Sequence, residues 1–211
     1  YYVPQIAPGR PPVAAANRIR YDYDLTFVAS DAAINISGIN WFYRNIYVPY
    51  LWRQGVRLLI VGSVCDCLRF RDANVTLIRQ IDDALAPLYE ATKVAVIPIF
   101  EGTGLSIKTL EGLANGRAIV VTPNGARGLE DAGNAFVMID MKAEPGRTAD
   151  VILDLLASPD KRHALERAAV AYANRHFTRD AYFAAMDRVI AGVGLDPQAA
   201  ARSREPAASA A

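Results

Sequence analysis

Cysteine and histidine are scarce in this sequence of 211 residues, with two of each. Cys65 and Cys67 are separated by one residue, which is too close for a relaxed disulfide between structural elements. Two cysteines are also too few for a closed zinc site. We therefore expect two reduced thiols near the end of a strand, as is usual in cytoplasmic proteins.

An excess of charge of one sign is also missing. The 23 lysine and arginine residues and the 22 aspartate and glutamate residues give a formal net charge of +1. This balance provides no overall field that would hold a polyanion, so we expect no nucleic-acid partner. No apolar run approaches the roughly 18–20 residues that a membrane-spanning helix needs, and no signal-peptide pattern opens the chain. The sequence therefore predicts a soluble, cytoplasmic protein.

The sequence does have the composition of one compact α/β domain, with 52% apolar and 21% charged residues. The first residue is Tyr1, and residues 1–23 contain four prolines. We therefore predict that residues 1–23 are a linker remnant from a missing N-terminal domain. The Ala, Ser and Pro content of residues 194–211 predicts a disordered tail, which leaves residues 24–193 as the ordered domain.

Short apolar runs alternate with helical patterns along this domain. Several runs lack polar alternation, which indicates strands that are buried on both faces of a parallel sheet. We predict strands at residues 25–29, 56–61, 75–78, 94–99, 118–122 and 135–139. We predict helices at residues 37–52, 82–91, 107–115, 148–157, 160–176 and 179–192. This order predicts an α/β fold with a Rossmann-like, doubly wound parallel sheet, whose ligands bind at the carboxyl ends of the strands.

Three common motifs are absent. The first predicted strand is not followed by Gly-x-Gly-x-x-Gly, the turn of a dinucleotide-binding fold. The sequence also has no Gly-Lys-Ser/Thr triplet of a Walker P-loop and no Gly-x-Ser-x-Gly nucleophile elbow. These absences exclude the typical sites of dehydrogenases, P-loop NTPases and α/β-hydrolases.

The most distinctive segment is residues 98–117. A buried strand ends there at a proline, a glycine-rich loop with Gly102 and Gly104 follows, and a helix begins at about residue 105. Unpaired N–H groups at such a helix start form an anion site whose usual ligand is a phosphate. Lys108 and Glu111 lie three residues apart on one helix face and offer a cation and an acceptor for sugar hydroxyls. The alternative is a plain strand-to-helix turn whose Lys108 and Glu111 form a surface ion pair.

Together with this segment, several others resemble the C-terminal, donor-binding half of GT-B fold glycosyltransferases, in family 4, also called group 1. The similar segments, in chain order, are residues 27–30, Asn35, 38–42, 58–62, 82–91, 94–98, 101–111 and 118–123. The resemblance covers about residues 24–190. It implies one Rossmann-like half of a GT-B fold that binds a nucleoside-diphosphate sugar as donor substrate, with no cofactor or metal ion required.

The resemblance also implies roles for individual residues. The loop residues would meet the sugar and the diphosphate through their backbone N–H groups: Gly102, Thr103, Gly104 and Leu105. Glu111 would bind the ribose hydroxyls, and Glu101 and Lys108 are the predicted catalytic residues. Four residues on other loops would shape the phosphate and base pocket: Ser30, Asn35, Gly62 and Arg79.

The sequence departs from the family pattern in two places. Glu101 and Glu111 are separated by nine residues, whereas the two glutamates of the family signature are separated by seven. Residues 30–38 contain no Arg or Lys, although many family members carry both there to neutralise the diphosphate. We hypothesise that Lys108 replaces that charge.

The implied function is that of a retaining, hexosyltransferase-type enzyme acting on a glycan or lipid-linked glycan. Because the acceptor site would lie on a missing N-terminal domain, we expect this chain alone to bind donor without turnover. Two alternatives stay open: a nucleotide-sugar epimerase on the same fold, and a non-catalytic nucleotide-sugar-binding or assembly domain.

An aromatic cluster falls in the first predicted helix. Its members are Trp41, Phe42, Tyr43, Tyr47, Tyr50 and Trp52. The cluster fits core packing, or alternatively a stripe that faces a partner or a membrane. With the second reading, the whole enzyme would associate peripherally with the inner face of the membrane.

Overall fold

The computed structural model describes residues 22–70, 72–79 and 85–192. All six predicted strands are present: β1 Tyr23–Val28, β2 Leu58–Val61, β3 Val75–Ile78, β4 Thr92–Ile97, β5 Ala118–Val121 and β6 Val137–Met138. They form one parallel sheet in the order β3-β2-β1-β4-β5-β6. The predicted Rossmann-like, doubly wound sheet is therefore confirmed.

The strand order reverses beside β1, because its two neighbours come from different halves of the chain. Leu25 of β1 pairs with Leu58 of β2 on one side and with Val94 of β4 on the other. The chain leaves the carboxyl ends of β1 and β4 in opposite directions, which opens a crevice between the two loops. This crevice is where an open α/β sheet binds its ligand.

Six α-helices cover the described part of the sheet: α1 Ala33–Phe42, α2 Ala86–Glu90, α3 Ile107–Ala114, α4 Pro145–Ala157, α5 Pro159–His176 and α6 Arg179–Gly192. The continuation of α1 packs against α4, whereas α3 packs against α5. Because parallel crossovers are right-handed, the reversal of strand order puts α1 on one face of the sheet and α2 and α3 on the other.

The first helix differs from its prediction at both ends. It begins at Ala33, four residues before the predicted start, and continues after Phe42 as a π-helical segment, Tyr43–Leu51. Pro49 lies inside that segment. A proline ring clashes with the carbonyl group four residues earlier in an α-helix, and the wider π turn relieves this clash.

Some predictions fall on residues that the structure does not describe. Residues 1–21 of the predicted linker, the predicted tail at 194–211 and residues 82–84 of a predicted helix lie outside the described residues. At the linker boundary, β1 already begins at Tyr23.

The aromatic cluster divides between the core and the surface. Phe42 and Tyr47 are fully buried, and the Trp41 ring packs edge-on against Phe100 with 4.9 Å between centroids. Tyr43 stacks on Phe70 at 3.8 Å. Only Tyr50 and Trp52 are open to solvent within the described cluster, at 42% and 41% exposure. Core packing thus accounts for four of the six rings.

Charged side chains connect the amino ends of β1, β2 and β4. Asp24 of β1 accepts hydrogen bonds from Arg57 N at 2.9 Å and from Lys93 Nζ at 2.8 Å. Burial raises the pKa of Asp24, but the hydrogen bonds from Arg57 and Lys93 outweigh it, so that the pKa lies below its ordinary value. The segment Asp22-Tyr23-Asp24 has the Asp-x-Asp spacing of some metal sites, yet it begins β1 at the edge opposite the crevice.

Cys65 and Cys67 are both free, in agreement with the expectation of two thiols beside a strand end. The buried Cys65 thiol donates to the Ile60 carbonyl at 3.3 Å. In the described ranges, no helix has both the length and the apolar character needed to cross a membrane.

Candidate functional site

The loops after β1, β4 and β5 meet at the carboxyl edge of the sheet, and α1 fixes their spacing. A Cβ atom on Gly38 would lie 2.1 Å from the Pro98 carbonyl oxygen and 3.2 Å from its carbon. The backbone of α1 therefore lies directly on the end of β4, where only glycine fits. This contact brings the start of α1 close to the glycine-rich loop, residues 99–106.

The glycine-rich loop has open backbone donors. Gly102 and Gly104 have φ values of 128° and 73°, which favour glycine. None of the described residues accepts a hydrogen bond from the N–H groups of Gly102, Thr103, Gly104 or Leu105. The helix α3 begins directly after them, and the positive end of its dipole adds to their potential. These four groups form a candidate anion-binding surface.

The loop after β5 is hydrogen-bonded to the glycine-rich loop. Ser106 N donates to the Arg127 carbonyl at 3.0 Å, and Arg127 Nε donates to the Gly104 carbonyl at 2.6 Å. Thr109 Oγ1 donates to the Gly125 carbonyl, which ties the first turn of α3 to the same loop. Because these bonds hold both ends of the segment 104–109, the unpaired N–H groups of Gly104 and Leu105 have a fixed orientation.

The loop after β1 supplies the facing wall. Asn35 is 1% exposed, and its Nδ2 donates to the Ser30 carbonyl at 3.0 Å and to Ser30 Oγ at 3.2 Å. Asn35 therefore acts on this edge through Ser30, which is exposed. The Ile34 side chain reaches the glycine-rich loop, because a Cβ on Gly102 would lie 3.5 Å from Ile34 Cδ1. The start of α1 thus borders the same candidate anion-binding surface.

The loop after β2 adjoins this wall through Gly62. Its φ is 105°, and a Cβ there would lie 2.3 Å from the Ala29 carbonyl oxygen. In the next residues, Asp31 N donates to Ser63 Oγ at 3.0 Å. Gly62 therefore lets the ends of β1 and β2 approach closely.

Lys108 and Glu111 lie together on α3, as the sequence predicts. Burial raises the pKa of the Glu111 carboxyl, whereas Lys108 and a hydrogen bond from the Tyr89 hydroxyl act against this rise. Burial also lowers the pKa of Lys108, and attraction to Glu111 opposes that change. Burial and the neighbouring Glu111 carboxylate raise the pKa of the Tyr89 hydroxyl, so the two side chains lie close together. The Lys108 and Glu111 side chains are half-buried, and among the described residues no ion pair within 4 Å joins them, so they do not form the surface ion pair of the alternative.

The remaining predicted residues lie at different distances from the crevice. Glu101 and Thr103 are exposed on the glycine-rich loop. Arg79 follows β3, the edge strand, and its Nε forms an exposed ion pair with Asp66 Oδ1 at 2.7 Å. The geometry thus brings together the predicted residues on the loops after β1, β2 and β4, and leaves Arg79 two strands away from β1.

Sequence reasoning missed Arg127 and Tyr89. Arg127 lies in the turn after β5, and the rule that ligands bind at the carboxyl ends of strands would have directed attention to that turn. Tyr89 falls in a predicted helix, but nothing in a one-dimensional pattern shows that its hydroxyl meets Glu111.

A separate cavity of about 620 Å³ lies between the Gly128 turn and helices α5 and α6. Its lining includes Tyr172, Arg175, His176 and Arg188. Across the described ranges, no group of three or more His, Cys, Asp or Glu side chains is arranged to hold a metal ion.

The six-stranded sheet and its carboxyl-edge crevice define one Rossmann-like half of a GT-B fold. Residues 22–158 match the family model described as glycosyl transferases group 1, and the chain belongs to this family. The family resemblance seen in the sequence is therefore confirmed. No curated protein sequence matches the chain.

Solved structures show the same fold. The chain is 20% identical to WaaG, a glycosyltransferase involved in lipopolysaccharide biosynthesis, with a TM-score of 0.60 over 85% of this chain and 52% of WaaG. A UDP-forming trehalose-phosphate synthase from Burkholderia xenovorans gives 14% identity and a TM-score of 0.61, over 85% of this chain and 46% of the synthase. The C-terminal domain of LpcC, a group 1 family protein from Francisella tularensis, gives 14% identity and a TM-score of 0.59, over 77% of this chain and 89% of that domain. The chain thus spans about half the length of WaaG and of the synthase, and most of the isolated C-terminal domain of LpcC.

Proposed function

We propose that the chain is the donor-binding half of a retaining glycosyltransferase, which transfers a sugar from a nucleoside-diphosphate sugar to an acceptor. The observation that carries the proposal is the set of unpaired N–H groups at Gly102, Thr103, Gly104 and Leu105. They lie where the starts of α1 and α3 meet beside the reversal of strand order. Such a site suits a diphosphate, and membership of the glycosyl transferases group 1 family supports a sugar nucleotide as its source.

Each part of the donor has a matching group. The diphosphate lies on the loop N–H groups, and the ionised Glu111 carboxylate accepts hydrogen bonds from the ribose hydroxyls. Tyr89 supports this role because its hydroxyl lowers the pKa of Glu111 and so favours the ionised carboxylate. Ser30 and Gly62 border the phosphate and base, and Glu101 and Thr103 face the sugar from the exposed side of the loop.

Catalysis is electrostatic in this proposal. Negative charge develops on the departing nucleoside diphosphate, and the loop N–H groups, the α3 dipole and Lys108 stabilise it without a metal ion. The acceptor, a glycan or a lipid-linked glycan, binds to an N-terminal half, so this chain alone binds donor without turnover. The exposed rings of Tyr50 and Trp52 suit a peripheral contact of the whole enzyme with the cytoplasmic face of a membrane.

A thermal-shift panel with UDP-, GDP-, ADP- and TDP-sugars tests the proposal. A ligand at 100 times its Kd stabilises the folded state by about 2.7 kcal/mol, which corresponds to roughly 5–10 °C for a domain of this size. We expect one nucleotide class to give such a shift. No shift with any of the four would contradict donor binding.

The role of Lys108 is tested by calorimetry on the same chain. Lys108→Ala removes a cation beside the diphosphate site and is expected to weaken donor binding several-fold. Lys161→Ala is the matched control, because Lys161 pairs with Asp154 on the surface near the start of α5. Equal donor affinity in the two variants would reject the role of Lys108.

A further inference from the structure

The guanidinium of Arg127 lies against the glycine-rich loop. Its Nε donates to the Gly104 carbonyl at 2.6 Å, and its Nη1 donates to the Asn124 carbonyl at 3.1 Å and to Asn124 Oδ1. These bonds fix the plane of the guanidinium relative to the loop. A Cβ on Gly102 would lie 3.3 Å from Arg127 Nη2, so this nitrogen lies beside Gly102 of the loop.

Two donors of the guanidinium stay available. Among the described residues, none accepts a hydrogen bond from Nη2. A guanidinium has five N–H donors, and Nε and Nη1 are bonded to the protein here. The two N–H groups of Nη2 are therefore held in a fixed direction. Arg127 thus combines a held orientation with open donors beside the unpaired N–H groups of the loop.

Backbone hydrogen bonds, first of all the one from Gly128 N, lower the pKa of the nearby Glu130 carboxyl, and attraction to Arg127 contributes least. The Glu130 carboxylate accepts this hydrogen bond from Gly128 N at 2.9 Å. No ion pair within 4 Å joins Arg127 to an acidic side chain in the described ranges. Glu101 is the acidic residue of the glycine-rich loop itself, and it is exposed to solvent.

A second cation beside the loop would suit the charge of a diphosphate. A nucleoside diphosphate carries at least two negative charges, and residues 30–38 provide neither Arg nor Lys. Lys108 is half-buried and attracted to Glu111, so part of its charge is already compensated. Arg127 adds a second cation at the loop, and its attraction to the nearby Glu130 is the smallest influence on the pKa of that carboxyl.

We propose that Arg127 is a donor-binding residue, whose Nη2 donates hydrogen bonds to oxygens of the donor diphosphate while its Nε holds Gly104 in place. The inference rests on the proposed function, since it assigns the phosphate contact within the same site. Arginine suits this role because its planar fork binds phosphate oxygens and one side can stay bonded to the protein.

The test measures affinity of the full 211-residue chain for inorganic pyrophosphate and for UDP, GDP, ADP and TDP at two salt concentrations. Arg127→Gln removes the charge and is expected to raise Kd for pyrophosphate and the bound nucleotide at least about tenfold, with a weaker salt dependence. Arg127→Lys keeps the charge and is expected to recover most of the salt dependence. Arg147→Gln is the control, since Arg147 is exposed on α4 and pairs with Glu144, and we expect wild-type affinity from it.

The outcomes separate the inference from the function on which it rests. If Arg127→Gln binds as tightly as the wild type, Arg127 makes no phosphate contact and the inference is wrong. If Arg127→Lys and Arg127→Gln lose binding equally and keep the wild-type salt dependence, Arg127 only supports the loop, and the inference is again wrong. If the wild type binds neither pyrophosphate nor any of the four nucleotides, the proposed function itself fails.

Discussion

Substitution of Gly38 by Ala tests the contact that sets the width of the crevice. The new Cβ would lie 2.1 Å from the Pro98 carbonyl oxygen, whereas an ordinary carbon–oxygen contact is about 3.3 Å. The α1 backbone and the end of β4 must therefore separate by about 1 Å. Both clashing groups are backbone, so no side-chain rotation relieves the overlap. The fully buried Ile39 and Phe42 move with the helix and lose packing.

The magnitude follows from two opposing effects. Overpacking of this kind costs about 1–3 kcal/mol, and alanine recovers about 0.5–1 kcal/mol of helix propensity. Because the overlap is large and rigid, we expect a net loss of about 2 kcal/mol and a fall in Tm of roughly 4–8 °C. Separation of α1 from β4 also displaces Ile34 from the glycine-rich loop, so donor affinity falls as well.

Two other helical glycines are matched controls in the same urea-unfolding experiment. At Gly146 the nearest atom to a new Cβ is the Tyr50 hydroxyl oxygen at 3.8 Å, so Gly146→Ala is expected to stabilise the protein slightly. At Gly112 the neighbour is the Ile119 Cδ1 atom at 2.9 Å, which a rotation moves away, so Gly112→Ala is expected to be close to neutral. If Gly38→Ala shifted the urea midpoint no more than Gly146→Ala does, α1 would not lie on β4 as described.

Two further predictions concern pH. Hydrogen bonds from Arg57 and Lys93 lower the pKa of Asp24, so its stabilising contribution is present above the unfolded value of 3.8 and disappears as pH falls through the lower folded pKa. In urea unfolding at pH 7, Asp24→Asn should lower the free energy of unfolding by about 2 kcal/mol. A loss that stays constant down to pH 3 would contradict this prediction. Because burial raises the pKa of Glu111, donor affinity measured by calorimetry should fall on acidification at a higher pH than for an ordinary glutamate. Tyr89→Phe removes a hydrogen bond that lowers this pKa and should move the fall to still higher pH, whereas an unmoved midpoint would reject the link to Glu111.

The core of the fold was predictable because its signals are local. β2 and β5 are continuous apolar runs, and the ends of β1, β2, β4 and β5 all lie within two residues of their predicted bounds. β6 has only two paired residues, Val137 and Met138, because its length depends on how far β5 extends beside it. The π-helical continuation of α1 was also beyond prediction, since Pro49 alone does not show whether a helix stops or widens.

The candidate site could be predicted from the sequence only where its residues lie close together along the chain. The glycine-rich loop, Lys108 and Glu111 lie within the thirteen residues 99–111, so their pattern is visible in the sequence. Arg127 reaches Gly104 across 23 positions, and Tyr89 meets Glu111 from another helix, so both contacts exist only after folding. Asn35 shows the reverse case, because a polar residue expected at a ligand is buried beneath Ser30.

The central claim is that a donor diphosphate binds to the N–H groups of the glycine-rich loop, and amide NMR tests it most directly. On titration of the chain with the nucleoside-diphosphate sugar that gives the largest thermal shift, the backbone amide signals of Gly102, Thr103, Gly104 and Leu105 should show the largest perturbations. Hydrogen exchange at these amides should also slow, since each gains a phosphate acceptor. Perturbations concentrated at Arg175 and Arg188 in the cavity beside α6, with the four loop amides unchanged, would contradict the account.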